Sequence, residues 1–509
     1  MESASFKTTL LNLFNSFINT GCIPKPLKCA RIVPLPKIPK PLHPNDMRPI
    51  AIQCAILKLF EKCIISQLNS YLKRMNVLSN SQFGFRERHS THHALLGITE
   101  FIRESYENNE VCIILALDFR KAFDKIDKKV LINKLKWYNI DTTLLESLLE
   151  ERTQYVMLDD ECSDTMTTIL GVPQGSSISN LLFSLMINDL PLVFKSVKTI
   201  MFADDSTLMI KCNINDVDNM ISKLNDDLKA LNDWLELNCL ELNTDKTEYM
   251  ICGKPQLVDN LEINISIGNE ELRRVKYLKI LGLYIDYKLD WDEHYNRTHQ
   301  KAMYTLSKLF NIRRILSFDQ RKYLVISTVL PIINYCSVVW FSGSKSHQLR
   351  INKLYKKVAR FVLNKSKYDE VSNDMTRILR WLNCKHKYKY ECLKLCNSIS
   401  NNVCPPIFSH VLNRGNFNDI TTRNQTYRVP MYFNKTAYGK ESFYYQANLL
   451  WLNIPDNVKV GTPKMVKQKL QKYCIENQIN ELPVAQSNIC NLSILSCIDH
   501  VCGLSNIYI

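Results

Sequence analysis

The sequence predicts an α+β fold that combines a few buried strands with long amphipathic helices. Val111–Leu117 is a continuous apolar run that ends at Asp118, as expected of a strand buried on both faces. Thr199–Ile210 has apolar residues on both sides of an Asp-Asp pair, which is typical of a hairpin with its acids at the turn. Helical spacing of apolar residues over 216–240, and again beyond Trp291, supplies the helical part of the prediction.

The N-terminal elements alternate between helical and extended patterns. Residues 5–20 have an amphipathic helical pattern that ends at Gly21. The prolines between positions 24 and 44 exclude a helix there and favour extended or turn backbone, with a short edge strand predicted at Arg31–Leu35. Helical spacing returns over 52–75, where one face carries Ile56, Leu59, Phe60, Cys63, Ile64 and Leu68.

The remaining elements follow the same two patterns. Residues 128–150 have helical spacing, and Val275–Asp286 is strand-like. After Trp291 the helical pattern continues to Leu363, and the tail from about residue 370 is less regular. The 509 residues exceed one compact core and predict two to four domains.

The net charge of +15 favours a polyanionic partner, because lysine and arginine release condensed counterions when they bind phosphate. The charge is concentrated in two stretches. Residues 23–48 have six basic residues against one acid, and residues 345–367 have eight basic residues and no acid. These stretches are predicted to contact phosphate. No run of 18 apolar residues predicts a membrane span, and the N-terminus lacks a signal-peptide pattern, so an intracellular protein is predicted.

The 18 cysteines include no Cys-x-x-Cys pair and are predicted to be reduced thiols. Two groups contain the residue types of a zinc site but lack its paired short spacings, so ordinary thiols are the favoured interpretation of both. These groups are Cys384, His386, Cys392 and Cys396, and then Cys490, Cys497, His500 and Cys502.

Three acids carry the chemical prediction: Asp118 at the end of one apolar run, and Asp204 and Asp205 inside another. Carboxylates that cluster near a core repel one another and raise each other's pKa unless a cation is bound. Two divalent cations with oxygen ligands resolve that conflict and support phosphoryl transfer, and magnesium suits carboxylate ligands. A solvated turn is the simpler explanation of an isolated Asp-Asp pair, but apolar strands on both sides argue against it.

The motifs, taken in order, resemble those of non-LTR (LINE-type, jockey-like) retrotransposon reverse transcriptases. Ile32–Lys37, Arg48-Pro-Ile and Gln82-Phe-Gly-Phe-Arg resemble the fingers motifs of that family, and the palm motifs are similar in order and spacing. The latter are 111–124 (ending Ala-Phe-Asp), Gly171-Val-Pro-Gln-Gly-Ser, Phe202-Ala-Asp-Asp, Leu242–Met250 and the primer-grip hairpin Lys279–Asp286.

This resemblance implies a role for each motif residue. Asp118, Asp204 and Asp205 would bind two Mg²⁺ ions, with Mn²⁺ as the alternative. Lys37 and Arg48 would hold the triphosphate. Phe123 would lie under the sugar and exclude a 2′-hydroxyl, although a core aromatic is the alternative. Gln174 would touch the nucleotide, and Gly171 and Gly175 would let backbone approach template and base. Lys246 would protonate pyrophosphate, with a solvated lysine as the alternative.

The sequence departs from the family pattern at two places. Asn180 stands where a proline is usual, and Leu27-Lys28 where Trp-Lys is common. Neither position is a proposed ligand.

The resemblance also implies a right-hand polymerase with fingers (1–110), an antiparallel-sheet palm (111–290) and a helical thumb (291–365), the reverse transcriptase domain spanning about 18–286. A small, mostly helical C-terminal region (366–509) has no assigned role. In the thumb, Tyr335 and Trp340 match a Tyr-x-x-x-x-Trp pattern of the family. A basic helix face there is either solvated or follows the template–primer backbone; its residues are Lys353, Lys356, Lys357 and Arg360.

The implied activity is RNA-directed DNA polymerisation, with an RNA template, a DNA primer and dNTPs as partners, and a ribonucleoprotein in nucleus and cytoplasm. An endonuclease domain is expected on a longer product of the element, and its pattern is absent from these residues. Three alternatives have their own expected features. Mutated acids would favour a decayed copy that only binds nucleic acid. A distinct DNA-binding tail would favour an intron maturase, and a template-RNA-binding extension would favour a telomerase-like polymerase.

Overall fold

The computed structural model describes residues 4–158, 161–258, 261–268, 270–409, 411–412, 417–422, 425–430 and 436–482. The second cysteine–histidine group, 490–502, therefore lies outside the described residues. The fold mixes helices and sheets, which confirms the predicted α+β class.

The N-terminal third contains three helices and two strands. They are α1 (Ala4–Thr20), β1 (Cys29–Pro36), β2 (Met47–Ile52), α2 (Ala55–Arg74) and α3 (Thr91–Asn108). The middle third contains most of the strands. Its elements are β3 (Glu110–Leu117), α4 (Lys128–Trp137), α5 (Thr143–Leu149), β4 (Thr153–Leu158), β5 (Glu161–Cys162), β6 (Met166–Thr167), α6 (Ser179–Met186), α7 (Leu190–Val193), β7 (Lys198–Phe202), β8 (Asp205–Asn213), α8 (Val217–Leu237), β9 (Glu248–Cys252), α9 (Pro255–Val258), β10 (Ser266–Ile267), β11 (Glu270–Glu271), β12 (Arg273–Arg274), β13 (Tyr277–Ile280) and β14 (Leu283–Asp286).

The last third is mainly helical. It contains α10 (Asp292–Phe310), α11 (Phe318–Thr328), α12 (Leu330–Asn334), α13 (Ser337–Trp340), α14 (Lys345–Leu363), α15 (Ser372–Arg377), α16 (Cys384–Ser400), the hairpin β15 (Phe417–Thr422) and β16 (Gln425–Pro430), α17 (Ala437–Glu441), α18 (Phe443–Leu452), α19 (Asp456–Lys459) and α20 (Pro463–Asn480). The described part of the tail, as far as residue 482, is thus more regular than the sequence pattern predicts.

The central sheet has the strand order β12-β9-β3-β8-β7, with β3 in the middle. Alternate residues of β3 feed two different cores: Val111, Ile113 and Leu115 pack with α4, α6 and α8, whereas Cys112 and Ile114 pack with α3 and the helices after residue 291. Helices thus cover both faces, which explains why β3 is a continuous apolar run. The sheet is antiparallel except at its edge, where β12 runs parallel to β9.

A second sheet, of order β2-β1-β4-β5 with β6 also on β4, lies beside the central one. The prediction of an edge strand at Arg31–Leu35 is wrong in one respect, because β1 pairs with β2 on one side and with β4 on the other. Pro34 is tolerated because it faces Pro49 in the antiparallel β1–β2 ladder, beyond the end of the β4 pairing at Ile32.

Two predicted elements are divided. The helix expected over 128–150 is interrupted between α4 and α5, where Asn139 adopts φ +55°. The strand-like stretch 275–286 is the hairpin β13–β14, with Leu281 and Gly282 at its turn. Among the described residues no helix is long and apolar enough to cross a membrane.

Cys384, Cys392 and Cys396 are buried thiols on α16, and in the described part of the chain they belong to no group of three or more His, Cys, Asp or Glu side chains that could hold a metal ion. The Cys384 and Cys396 thiols face the carbonyl oxygens of Phe341 and Ala447, on different neighbouring segments. The thiol interpretation of this group is therefore the one the structure supports.

Candidate active site

The Phe202-Ala-Asp-Asp motif is the turn of the β7–β8 hairpin. Phe202 pairs with Asp205, which leaves Ala203 and Asp204 as the two turn residues. Ala203 has φ +57°, a left-handed conformation that non-glycine residues adopt rarely and that is frequent at functional sites. The hairpin thereby presents two adjacent carboxylates at one edge of the central sheet.

Asp118 joins these carboxylates because β3 pairs with β8. Leu117 is opposite Ser206, so the residue after β3 lies beside the start of β8. The Leu242–Met250 motif holds the backbone of Asp118. The Asp118 N–H donates to Thr247 Oγ1 at 3.3 Å, and the Asp118 carbonyl accepts from the N–H of Asn243 at 2.7 Å. The structure thus brings together all three predicted acids, although Asp118 lies 86 residues before Asp204 in sequence.

The acids are in electrostatic conflict. Desolvation raises the pKa of Asp204, and the neighbouring charge of Asp118 raises it further, while its own backbone N–H and Arg48 oppose the shift. Part of the Asp205 side chain reaches solvent, yet desolvation, then Asp204 and then Asp118 raise the pKa of Asp205 to about 6, with Lys279 opposing. Three oxygen-donor side chains that destabilise one another in this way fit hard divalent cations such as Mg²⁺.

Gln82 supports the acidic turn from behind, a role that sequence analysis missed. Its side chain is fully buried, and its Oε1 accepts hydrogen bonds from the N–H groups of Gly84 at 2.8 Å and Ala203 at 3.2 Å. A Cβ atom on Gly84 would lie 2.3 Å from the Ala203 nitrogen. The Gln82-Phe-Gly motif therefore fixes the turn, and only a glycine fits at position 84. The motif itself was the available signal, but the contact spans 121 residues.

The Pro-Gln-Gly loop packs against β2. The N–H of Ala51 donates to the Gln174 carbonyl at 2.7 Å, and Gln174 Nε2 donates to Asp124 Oδ1 at 2.8 Å. Gly171 (φ +80°) and Gly175 (φ +126°) approach protein backbone: a Cβ atom would lie 2.7 Å from the Asp124 carbonyl oxygen and 2.5 Å from that of Ala51. These glycines hold the loop in place, whatever else they approach.

Phe123 is half-buried and stacks on Phe183 of α6, with ring centroids 4.7 Å apart. Its carbonyl accepts from the N–H of Val172 at 2.9 Å, which ties it to the Pro-Gln-Gly loop. The contact with Phe183 agrees with the alternative interpretation of Phe123 as a core aromatic. The ring is also half-exposed and adjoins the Pro-Gln-Gly loop, as the sugar-contact prediction requires.

The predicted cations differ in how near they lie to the acids. Arg48 is close enough to oppose the pKa shift of Asp204. Lys37 Nζ donates to the carbonyl of Asn45 at 2.9 Å, three residues before Arg48. Lys246 is exposed in the turn that Asn243 anchors on Asp118.

On α14, Lys353 and Lys357 are exposed, whereas Lys356 pairs with Glu370 at 3.0 Å and the Arg360 Nε donates to the Asp369 carbonyl at 2.9 Å. No described contact joins these four to the acids.

Tyr335 links the α10–α14 helices to the β13–β14 hairpin, a further contact that the sequence did not reveal. Its hydroxyl donates to the carbonyl of Leu281 in the β13–β14 turn at 2.6 Å, and its own carbonyl accepts from Trp340 Nε1 at 2.9 Å. Desolvation, with a smaller contribution from the charge of Asp205, raises the pKa of Tyr335 to about 12. The Tyr-x-x-x-x-Trp pattern is thus a local brace that reaches the hairpin carrying Lys279.

The family and the relatives that match this chain are those that its sequence motifs resemble. Residues 38–285 match the family model described as "Reverse transcriptase (RNA-dependent DNA polymerase)". The chain is 27% identical over 367 residues (69% of this chain, 40% of the relative) to the "Probable RNA-directed DNA polymerase from transposon BS" of Drosophila melanogaster. It is also 27% identical over 363 residues (68% and 39%) to the "RNA-directed DNA polymerase from mobile element jockey" of the same organism.

The chain thus spans about two fifths of the length of these relatives. Among solved structures, it is similar to apo telomerase from Candida tropicalis, with 12% identity, a TM-score of 0.39, and coverage of 76% of this chain and 66% of that one. The family match covers the second sheet except β1, together with the acidic hairpin, the Pro-Gln-Gly loop and the β13–β14 hairpin as far as Ile285. Residues 38–285 are therefore a reverse transcriptase domain, and the chain is similar in sequence to the RNA-directed DNA polymerases of transposon BS and mobile element jockey.

Proposed function

We propose that this chain extends a DNA primer by copying an RNA template, as an RNA-directed DNA polymerase of a non-LTR retrotransposon. The observation that carries the proposal is the convergence of Asp118, Asp204 and Asp205 at one hairpin turn of a reverse transcriptase domain. Solvated surface acids would not need the buried support that Gln82 gives this turn.

Asp118, Asp204 and Asp205 would hold two Mg²⁺ ions. When bound, such ions lower the pKa of a primer 3′-hydroxyl and neutralise charge on the attacked phosphate and the leaving group. The protein's own contribution is to fix three carboxylates in advance, so that no reorganisation is needed when charge develops. Gln82, Thr247 and Asn243 do this by holding the backbone of the turn and of Asp118.

The nucleotide would lie between the second sheet and the acids. Arg48 and Lys37 would bind its phosphates, and Lys246 would donate a proton to the leaving pyrophosphate. Gln174 and Gly175 would contact the nucleotide, and Phe123 would exclude a 2′-hydroxyl by packing against the sugar. The stacking of Phe123 on Phe183 supports this role because it holds the ring rigidly.

In this proposal, residues 1–110 are the fingers, 111–290 the palm and 291–365 the thumb. Lys353 and Lys357, which are exposed on α14, would follow the phosphates of the template–primer duplex. Lys356 and Arg360 would contribute less, since each already has a partner in the segment that follows.

Primer extension on poly(rA)/oligo(dT) with Mg²⁺ and dTTP tests the proposed function. We expect Asp204→Asn to lower incorporation by about 10²–10³-fold or more, because the lost carboxylate acts directly in transition-state stabilisation. The control Asp233→Asn removes an exposed acid of α8 and should leave incorporation unchanged. Duplex binding by all three proteins should be similar. A wild-type chain that binds the duplex and adds no dTTP would instead establish a nucleic-acid-binding protein.

A further inference from the structure

Lys121 is a basic residue of the loop after β3 that no motif assignment uses. It lies three residues after Asp118, is exposed, and has φ +51°. Its neighbours Arg120 and Lys125 both pair with the carboxylate of Glu241. Lys121 points elsewhere: its Nζ donates to Oδ1 of Asn45 at 2.9 Å, across 76 residues of sequence.

Asn45 thereby brings two ammonium groups together. Its backbone carbonyl accepts from Lys37 Nζ and its side-chain oxygen accepts from Lys121 Nζ, both at 2.9 Å. In the described part of the chain, neither ammonium forms an ion pair with a carboxylate. The charge of Lys37 also acts on the neighbouring Asp46 carboxylate. Lys121 has no such partner among the described contacts, and like charges gathered on one neutral residue favour the binding of a further anion.

The position of Lys37 and Lys121 indicates which kind of anion would bind between them. Asn45 lies three residues before Arg48, whose charge acts on Asp204, and Lys121 lies three residues after Asp118. The three cations therefore border the carboxylate cluster on one side, where two different parts of the chain meet. An anion that must reach both the cations and metal-binding carboxylates is a polyphosphate.

We propose that Lys121 is a further substrate-binding residue, which contacts the triphosphate of the incoming nucleotide together with Lys37 and Arg48. This inference rests on the proposed function and deepens it. Asn45 accepts from the Lys121 ammonium, and the flexible lysine stem would let the ammonium turn to phosphate when a nucleotide binds.

The test compares Lys121→Met, which keeps the stem and removes the charge, with Lys121→Arg, which keeps the charge. Equilibrium dialysis of dTTP with Mg²⁺ uses protein carrying poly(rA) and a dideoxy-terminated oligo(dT), which lacks the 3′-hydroxyl and so prevents incorporation. The dTTP Kd should be about tenfold higher for Lys121→Met, a loss of about 1.4 kcal/mol. Lys121→Arg should stay within about threefold of wild type, as should Lys129→Met, which removes an exposed lysine of α4. In primer extension, the KM for dTTP should rise in parallel while kcat changes less, and the KM for pyrophosphate in the reverse reaction should also rise.

Asn45→Ala separates substrate binding from a structural contact, because it removes the present partner of Lys121 and leaves the charge. We expect its dTTP Kd to remain near wild type. Three results would overturn the inference: an unchanged dTTP Kd for Lys121→Met, an equal loss in Asn45→Ala, or a weakened Kd for the duplex instead of dTTP. The dialysis readout holds even if the wild-type chain does not polymerise, and the primer-extension control reports that failure separately.

Discussion

At the scale of single residues, the candidate active site is a hairpin turn at which neighbouring carboxylates repel one another. Ala203 adopts an unfavourable backbone conformation. Desolvation raises the pKa of both Asp204 and Asp205, the charge of Asp118 adds to both shifts, and the charge of Asp204 adds to the shift of Asp205. Such arrangements persist only when their surroundings determine them strongly. Here the buried amide of Gln82 and the glycine at position 84 supply that constraint.

The pKa of Asp205, raised to about 6, predicts how metal binding depends on pH. Divalent ions require the deprotonated carboxylate, so the affinity for Mn²⁺ should be constant above about pH 6.5 and fall about tenfold per pH unit below about pH 6. The free-ion signal of Mn²⁺ in electron paramagnetic resonance measures this affinity. Asp205→Asn should bind more weakly and lose that pH dependence.

The raised pKa of Asp205 also predicts how this carboxyl changes the stability of the fold with pH. The folded protein holds the Asp205 proton more tightly than the unfolded chain, so this group's stabilising contribution is full below about pH 4 and is lost as the pH rises to about 6. Without metal at pH 7.5, Asp205→Asn should therefore have a Tm at or slightly above that of wild type. A lower Tm for the variant would contradict the proposed repulsion.

The residues that sequence analysis found and missed differ in a physical way. Asp118, Asp204 and Asp205 each adjoin an apolar run, so the local pattern alone marks them as acids at the end of buried strands. Gln82 acts through a contact across 121 residues, and Lys121 through one across 76. No local pattern encodes which distant atoms a side chain will meet, so those roles required the fold.

At the scale of elements, the β13–β14 hairpin is held in place from the helical side. Tyr335 lies between α12 and α13, and its hydroxyl donates to the carbonyl of Leu281, which with Gly282 forms the hairpin turn at φ +48° and +81°. Asp286, at the end of the hairpin, accepts from the N–H groups of Lys288, Asp290 and Trp291 at 2.8–3.0 Å. Both ends of the hairpin are therefore fixed.

Tyr335→Phe should loosen this turn while leaving the fold intact, because one hydrogen bond contributes only about 0.5–1.5 kcal/mol. If the turn positions the primer end, kcat for dTTP addition should fall by about three- to tenfold through poorer alignment, and the KM for dTTP should change little. Tyr323→Phe, at an exposed tyrosine of α11, is the matched control. Equal kcat values for the two variants would argue against a positioning role of Tyr335.

The elements divide by the kind of signal that encodes them. The β7–β8 hairpin and α8 are confirmed because their apolar periodicity is local and uninterrupted. The 128–150 prediction merged α4 with α5 because Tyr138 and Ile140 continue the apolar spacing across the break. The tail seemed irregular because α18 takes its N-terminal partners from a distant helix, which is invisible in its own sequence.

At the scale of the whole molecule, the C-terminal helices belong to the same core as the central sheet. Cys112 and Ile114 of β3, Trp340 of α13 and Phe443 of α18 lie in one apolar cluster. A buried polar network accompanies it: Glu100 of α3 accepts from the Ser442 hydroxyl at 2.5 Å and the Phe443 N–H at 2.9 Å, and Arg103 Nη2 donates to Ser342 Oγ at 2.9 Å. The C-terminal helices, which have no assigned chemistry, thus connect α3 with the helices after residue 291.

Glu100→Ala tests whether this region stabilises the whole molecule. The change leaves the Ser442 hydroxyl and the Phe443 N–H without their buried acceptor, at a cost of about 1–3 kcal/mol for each group. Arg103 keeps Glu441 and Ser342 as partners. We expect a lower Tm in one cooperative transition and faster tryptic cleavage at the exposed Lys440. Thr462→Ala, which removes the exposed cap of α20, should cost about 1 kcal/mol and leave Lys440 protected. Two separate transitions in the wild-type protein, or equal cleavage of both variants, would mean that the C-terminal helices fold independently of the polymerase body.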